Sequence, residues 1–425
     1  MRQLHRHFYY GWFVLAAISG INFANGATAI GVLTVFILPF TQDFGWTRTQ
    51  ISAVTSVGAI LGAIVAPFIG RMTDRLGARL PLTLGGVFIV LATLCLASMQ
   101  SLIGFYLAFG LARLADQGFV QASSPPAIAK WFQRYRGRAI AVLFFVTSLG
   151  GVTLPLLVQV VINVWHWRVA WLVLGGIMLC FGLVPCALWV RRQPEDLGLL
   201  VDGVTRVQPS VPPRTGMGNA RHADFRDAEM SWQLNEARQT STLWLFLVSA
   251  FIIGIASTGV ALHIVPYLVQ QGVTSMAAVG AVSLGFLASG IGNLLWGYAA
   301  DRLSVRFLLG LAYILRIASL AMLLVTDSVP EAYGFALLQG FADGGIRTLT
   351  AVLLADYYGP QHLGAIYGLL RAVQVAGFAL GPLVSGITFD LTRSYYGAFQ
   401  AFLVLSVIGT VLILLARPPV RKRMV

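Results

Sequence analysis

Charged side chains inside long apolar runs are the residues of this sequence that could do chemistry. A charge at the centre of a membrane helix costs roughly 2.5–3.5 kcal/mol, so such charges are rare unless they are paired or line a polar cavity. Four arginines against two aspartates leave an excess of two positive charges, and a cavity built around that excess should prefer anions. The six residues are Arg113, Asp116, Arg316, Asp343, Arg347 and Arg371.

Two pairs of these charges have spacings that place both members on one helix face. Arg113 and Asp116 are three residues apart, and Asp343 and Arg347 are four apart. Each pair could be a static ion pair that holds helices together. Alternatively, one aspartate takes up a proton, or the pairs exchange partners during a conformational change. On this second interpretation Asp343, Asp116 and Arg113 are the candidates for proton coupling.

The remaining arginines differ in what they could contact. A guanidinium binds planar anions through two parallel donors, so Arg371 is a candidate carboxylate ligand, although it could equally extend to the membrane interface. For Arg316 we expect a structural partner. His263 could titrate near neutral pH or form a hydrogen bond inside the bundle. Polar or aromatic candidates that could contact a bound anion or bridge helices are Asn22, Asn25, Gln374 and Tyr267.

The elements that must position these residues follow from composition. The 425 residues are 57% hydrophobic and 11% charged, whereas a soluble protein carries about 25% charged residues. Apolar runs of about 18 or more residues recur along almost the whole chain. The sequence therefore predicts an all-α membrane protein, because a membrane β-barrel would show short alternating segments instead.

Twelve spans are predicted, which places both termini on one side. Of the 29 Lys and Arg residues, 22 fall on that side and only Arg48, Arg168 and Arg393 on the other, so the net charge of +13 sets orientation and does not indicate a nucleic-acid partner. We expect a multi-pass plasma (inner) membrane protein with cytoplasmic termini. The predicted spans are 9–38, 48–70, 80–98, 101–129, 139–163, 169–191, 241–270, 275–299, 306–325, 331–356, 365–389 and 396–416.

The two halves of the chain form an internal repeat with a constant offset of 227 residues. This offset carries Gly70 onto Gly297 and Gly137 onto Gly364, and it also relates the two membrane aspartates. The repeat predicts two six-helix bundles with a binding site between them near the membrane midplane. The predicted units are a first bundle over 1–191, a cytoplasmic linker over 192–240 with a short surface helix near 231–240, and a second bundle over 241–425.

A charged hairpin occurs once in each half. Residues 70–79 and 297–306 share the spacing G-x-x-x-D-R-L-x-x-R between apolar runs. This pattern resembles the loop signature of the major facilitator superfamily, the twelve-helix secondary transporters. The resemblance implies that the first, fourth, seventh and tenth helices line the central pathway. It also implies a latch on the cytoplasmic side, formed by Asp74, Arg75, Arg79, Asp301 and Arg302.

Shorter stretches resemble one branch of that superfamily, the bacterial proteins similar to monocarboxylate transporters and oxalate/formate antiporters. One departure concerns the eighth helix, where that branch commonly has an anion-binding arginine and this sequence has Asn293. Either Arg371 or Arg347 substitutes for it, or the cargo is not a simple monocarboxylate. The matching stretches are residues 9–12, 131–137, 194–203 and 263–268, the last of which contains His263 and Tyr267.

Together these features predict a secondary active transporter of a small organic anion, with a monocarboxylate favoured. Proton symport by alternating access is the favoured coupling, and anion exchange or drug efflux are the alternatives. We expect a monomer without metal or cofactor. An enzyme is not expected, since the sequence has no His/Cys/Glu cluster, no G-x-S-x-G and no phosphate-binding loop.

Overall fold

The computed structural model describes residues 9–46, 48–203 and 232–419, and these residues form helices and short turns. The helices make twelve successive spans, numbered here from first to twelfth. In chain order they are Gly11–Ala24 with Ile30–Phe44, Arg48–Leu76, Arg79–Ser98, Leu102–Leu114 with Gln121–Trp131, Arg136–Val164, Trp167–Ile177 with Val184–Trp189, Ser241–Gln270, Ser275–Ala300, Val305–Leu324, Val329–Tyr358, Leu363–Thr392 and Tyr396–Leu415.

The spans have the character of membrane helices. Among the described residues, eight helical stretches are long and apolar enough to cross a membrane, and they correspond to the third, fifth to ninth, eleventh and twelfth spans. The first and fourth spans are interrupted, and the second and tenth contain several glycines together with threonine and charged residues. The chain is therefore a multi-pass membrane protein, as the composition predicts.

Two interruptions lie at residues that the sequence singles out. The first span changes to a 3-10 turn at Asn25–Thr28, where asparagine and glycine, both poor helix formers, stand side by side. The fourth span contains the π-helical turn Ala115–Val120, which includes Asp116. Such turns are rare and are frequently found at functional sites. A third interruption, Met178–Leu183, lies in the sixth span.

The two halves share an apolar core at one end of the bundle. This end carries both hairpins, 70–79 and 297–306, and is called the charged end below. There a single apolar core contains residues of both halves, including Trp131, Phe132, Phe246 and Tyr358. At the opposite end each half has its own core, one around Phe36, Phe40 and Trp171 and the other around Tyr267, Phe399 and Phe402. Among the described residues, the shared core thus closes the charged end, whereas the cores at the opposite end belong to one half each.

Glycines allow this close packing. A Cβ atom at Gly137 would lie 2.5 Å from the carbonyl oxygen of Gly297, and a Cβ at Gly364 would clash with the carbonyl oxygen of Gly70. Because small residues let helix backbones approach closely, these two contacts bring the fifth span against the eighth and the eleventh against the second.

The segments between the halves fold onto both of them. The predicted short helix is Leu234–Ala237, which Gln233 and Glu236 cap through reciprocal hydrogen bonds. The backbone amide of Trp232 donates to the carbonyl oxygen of Tyr358 at 2.9 Å, which anchors this segment to the second half. Residues 204–231, with most of the linker, lie outside the described part, as do 1–8 and 420–425.

Candidate functional site

Asp116 is a buried charge of the first half with several hydrogen-bond donors around it. Its side chain is only 5% exposed, and its carboxylate accepts hydrogen bonds from Asn25 Nδ2 at 2.5 Å, Arg113 NH1 at 2.7 Å and Gln117 Nε2 at 2.7 Å. The predicted pairing of Arg113 with Asp116 on one helix face is present. Three donors, one of them charged, compensate the burial of this carboxylate.

The first span is tied to the fourth by further hydrogen bonds that do not involve Asp116. Asn22 Nδ2 donates to Ser124 Oγ at 2.8 Å, and Arg113 NH1 also donates to the carbonyl oxygen of Thr28 at 3.3 Å. Asn22 and Asn25 are 2% and 4% exposed, so in this conformation both bridge helices. Their predicted contact with cargo would require that these bonds open.

The ion-pair partner of Asp343 is Arg316, not Arg347 as the sequence spacing suggested. Arg316 NH1 from the ninth span bonds Asp343 Oδ1, and Gln339 Nε2 donates to Asp343 Oδ2 at 3.2 Å. The Arg316 side chain is completely buried, whereas that of Asp343 is 32% exposed. The packing of the ninth span on the tenth brings a buried arginine to this carboxylate, and a buried cation needs a counter-charge.

The excess positive charge therefore resides on Arg347 and Arg371. Arg347 is exposed, and within the described residues no hydrogen bond or ion pair satisfies it. It nevertheless interacts electrostatically with Asp343 and with Arg371, so the two guanidinium groups lie in one region. Arg371 donates only to neutral oxygens, Gln374 Oε1 at 2.6 Å and Gln117 Oε1 at 2.8 Å, and its Nε is buried without a partner. Among the described residues, neither arginine forms a salt bridge with a carboxylate.

Tyr367 accompanies both arginines. It is 7% exposed and interacts electrostatically with Arg347 and Arg371. Arg371 lies eight residues into the eleventh span, or about 12 Å from its charged-end terminus at 1.5 Å per residue. The two guanidinium groups are consequently well inside the bundle, at a depth where an unpaired cation is costly.

Three predicted binding residues lie elsewhere in this conformation. The ring of His263 packs against that of Tyr395 with centroids 5.0 Å apart, near the opposite end of the seventh span. Tyr267 is buried in the core of the second half at that end, and its hydroxyl donates to a main-chain carbonyl oxygen at 3.2 Å. Asn293 is fully buried between the eighth and tenth spans, where it accepts from Thr348 Oγ1 at 3.0 Å.

The two hairpin aspartates make equivalent contacts across the halves. Asp74 accepts the backbone amides of Gly364 and Ala365 at 2.9 and 2.8 Å, and Asp301 accepts that of Gly137 at 2.9 Å. Each carboxylate thus binds free amides at the start of a helix in the other half, where the helix dipole favours negative charge. These contacts join the two halves at the charged end.

Basic residues support each hairpin aspartate. Lys130 Nζ lies 3.5 Å from Asp74 Oδ1, and Arg138 Nε lies 2.9 Å from Asp301 Oδ2. Burial raises the pKa of the Asp301 carboxyl to about 6, and Arg138 opposes this rise. The hairpin arginines are more peripheral: Arg75 and Arg79 are exposed, and Arg302 lies over the Tyr298 ring at 4.1 Å, so their part in a latch stays a prediction.

Sequence reasoning missed some of these residues. Gln117, Lys130 and Arg138 were not assigned roles, nor was the pair of Arg136 with Asp356 at 2.7 Å between the fifth and tenth spans. For Arg138 the available signal was its position next to Gly137, which the repeat relates to Gly364. For Gln117 the available signal was its position next to Asp116, inside an otherwise apolar span.

Comparison with known proteins gives consistent matches along the whole chain. The family model described as Major Facilitator Superfamily matches residues 13–289 and 246–424. Monocarboxylate transporter 12 of Rattus norvegicus is 23% identical over 412 residues, which are 92% of this chain and 82% of that protein. The uncharacterized MFS-type transporter YcxA of Bacillus subtilis (strain 168) is 26% identical over 90% of both chains. The crystal structure of the human organic anion transporter MFSD10 (TETRAN) superposes with a TM-score of 0.71 at 15% identity, covering 95% of this chain and 99% of that one.

Proposed function

The chain belongs to the major facilitator superfamily, and we propose that it is a secondary transporter that moves a small organic anion by proton-coupled symport. The observation that carries the proposal is that Arg347 and Arg371 lie inside the bundle and form no salt bridge with a carboxylate among the described residues, the carboxylate near Arg347 being bonded to Arg316. A monocarboxylate is the first candidate for the cargo, supported by the names of relatives such as monocarboxylate transporter 12.

The proposed anion site is formed by the two guanidinium groups. Arg371 offers the planar set of donors that a carboxylate binds in a bidentate manner, with Nε free to complete it. Arg347 supplies a second positive charge from the neighbouring tenth span. Gln374 orients Arg371 from one turn away on the same helix. This pair takes the place of the arginine that the related branch has at the position of Asn293.

Asp343 is the proposed proton carrier. Its carboxylate is partly exposed, whereas Asp116 is enclosed by three donors, so a proton can reach Asp343 more easily. Protonation would leave the buried Arg316 without a counter-charge, which is unfavourable. We propose that an anion bound at the neighbouring Arg347 offsets this cost, so that the proton and the anion bind together.

In the proposed cycle the two ends of the bundle open alternately. We place the charged end on the cytoplasmic side of the plasma (inner) membrane, so the conformation described here opens outward. Asp74 and Asp301, with Arg75, Arg79 and Arg302 around them, would release the helix termini when the cytoplasmic side opens. His263, Tyr267, Asn22, Asn25 and Asn293 remain candidates for contacts made only in other conformations.

The proposal is tested by uptake into proteoliposomes that contain the purified chain. Labelled lactate, pyruvate, succinate, benzoate and a cationic drug are offered with and without an inward proton gradient. Uptake of one organic anion that rises with the gradient would support symport. Anion movement only between preloaded anions would indicate exchange instead, and transport of the cationic drug alone would exclude an anion site at the two arginines.

A further inference from the structure

Gln117 connects the two halves of the bundle deep inside the membrane. Its amide nitrogen donates to Asp116 Oδ2 at 2.7 Å in its own span, and its amide oxygen accepts from Arg371 NH2 at 2.8 Å in the eleventh span. Among the described residues, the carboxylates that bond across the halves, those of Asp74, Asp301 and Asp356, lie at the spans' charged-end termini. Gln117 is therefore the deepest polar link among the described residues.

The packing behind Gln117 fixes its direction. A Cβ atom at Gly62 of the second span would lie only 2.6 Å from the Cβ of Gln117, so the second span lies directly against this residue. The π-helical turn Ala115–Val120 also places Gln117 next to Asp116 in an irregular part of the helix. Both features direct the amide towards the eleventh span.

The amide oxygen of Gln117 occupies the position that an anion would need. Arg371 holds one neutral oxygen on each terminal nitrogen, from Gln374 and Gln117, and has an unpartnered Nε. A carboxylate that binds side-on to a guanidinium uses Nε together with one terminal nitrogen. A charged acceptor forms a stronger hydrogen bond than a neutral amide, so an anion at NH2 would replace Gln117.

We propose that the transported anion displaces Gln117 from Arg371 and that this exchange releases the fourth span from the eleventh. The inference rests on the proposed function, because it requires an anion at Arg371. It adds that cargo binding and closure of the charged end compete for one nitrogen atom of Arg371, NH2. Gln117 is thus a positioning residue. Until cargo arrives, it occupies NH2 of Arg371 and keeps the fourth span bonded to the eleventh. Among the described neighbours, the charged groups that face it are Asp116 and Arg113 on its own span and Arg371 on the eleventh.

The test is a binding measurement on the purified full chain, with pyruvate and benzoate as probes and equilibrium dissociation constants as the readout. In Gln117→Leu no internal acceptor has to be displaced, so we expect Kd to fall about three- to tenfold. Gln374→Leu is the matched control: it also removes an amide acceptor from Arg371, but it breaks no link between the halves and removes the group that orients the guanidinium. We expect it to raise Kd. In Gln117→Glu an internal carboxylate would occupy Arg371, so binding should weaken more than tenfold.

The outcomes separate the two proposals. Wild-type binding with an unchanged or raised Kd in Gln117→Leu would overturn the displacement while leaving the anion site intact. A wild-type chain that binds neither probe and transports no organic anion would overturn both. A merely structural role for Gln117 would lower the thermal stability of Gln117→Leu without tightening anion binding, and a melting curve on the same sample detects this.

Discussion

The carboxylate of Asp301 lies 2.9 Å from the backbone nitrogen of Gly137, at the first turn of a helix in the other half. Asp74 has the same relationship to Gly364, also at 2.9 Å. The offset of 227 residues relates both the aspartates and the glycines. The internal repeat thus builds one contact twice, and closure of the charged end is nearly symmetric.

The stability of the protein should depend on the ionisation of Asp301. Burial raises the pKa of this carboxyl from 3.8 to about 6; Arg138 and the backbone amides of Gly137 and Arg138 lower it, and Asp202 adds to the rise. Between these two pH values the folded chain binds a proton that the unfolded chain has released. The contribution of Asp301 to stability is therefore full below pH 3.8 and is lost as the pH rises through about 6.

The measurement is thermal unfolding of the purified protein between pH 4.5 and 7.5. Ionisation of Asp301 should lower the melting temperature of the wild type by about 2 °C as the pH rises from 4.5 to 7.5. Asp301→Asn cannot titrate, so the difference between wild type and variant should change with pH in that window. Parallel curves for the two proteins would contradict a raised pKa at this position.

Gly137→Ala should impair closure of the charged end. The new Cβ would lie 2.5 Å from the Gly297 carbonyl oxygen and 2.7 Å from Asp301 Oδ1. Overpacking of this kind costs about 1–3 kcal/mol. We expect the initial rate of anion uptake to fall at least fivefold at equal protein level.

Gly151→Ala on the same span is the matched control for that substitution. A Cβ there meets no atom within 4 Å. Both variants gain about 1 kcal/mol from the higher helix propensity of alanine. A difference between their uptake rates therefore reports the contact of the new Cβ at position 137 with the other half. Equal rates in the two variants would argue against a close-packed interface.

The architecture was accessible from the sequence, whereas several contacts were not. Apolar runs and the repeat predict the spans because length and composition decide membrane insertion. The partner of Asp343 could not be predicted: Arg347 has the right spacing on its own helix, but Arg316 reaches the carboxylate from another span. Likewise, Asn293 lies on an apolar helix whose periodicity does not reveal which face meets the tenth span.

Loss of either unpaired arginine should weaken anion binding. A hydrogen bond to a charged group contributes about 1.5–3 kcal/mol, so Arg371→Ala and Arg347→Ala should each raise Kd for the transported anion about 10- to 100-fold. Isothermal titration in detergent measures this directly. Arg238→Ala, which removes an exposed arginine of the linker, should leave Kd unchanged. Normal affinity in both membrane variants would remove the basis for an anion site here.

Asp343→Asn should uncouple anion movement from protons. The amide mimics the protonated carboxyl, so counterflow between preloaded anions should persist while gradient-driven accumulation falls at least tenfold. The two modes are compared in the same proteoliposomes. Glu331→Gln, at the start of the same span, is the control and should keep both modes. If Asp343→Asn still accumulates anion against its gradient, the proton is carried by another group.

The interruptions of the first and fourth spans make the two halves mechanically unequal. Their equivalents under the repeat, Ser241–Gln270 and Val329–Tyr358, are single uninterrupted helices. A π-helical turn accommodates one extra residue, and its relaxation to a regular α-helix would rotate the residues on one side of it by about 100° relative to those on the other. We therefore expect the first half to change shape internally during the cycle and the second to move as a rigid unit. A chimera made of two second halves would preserve the architecture but lose this internal rotation.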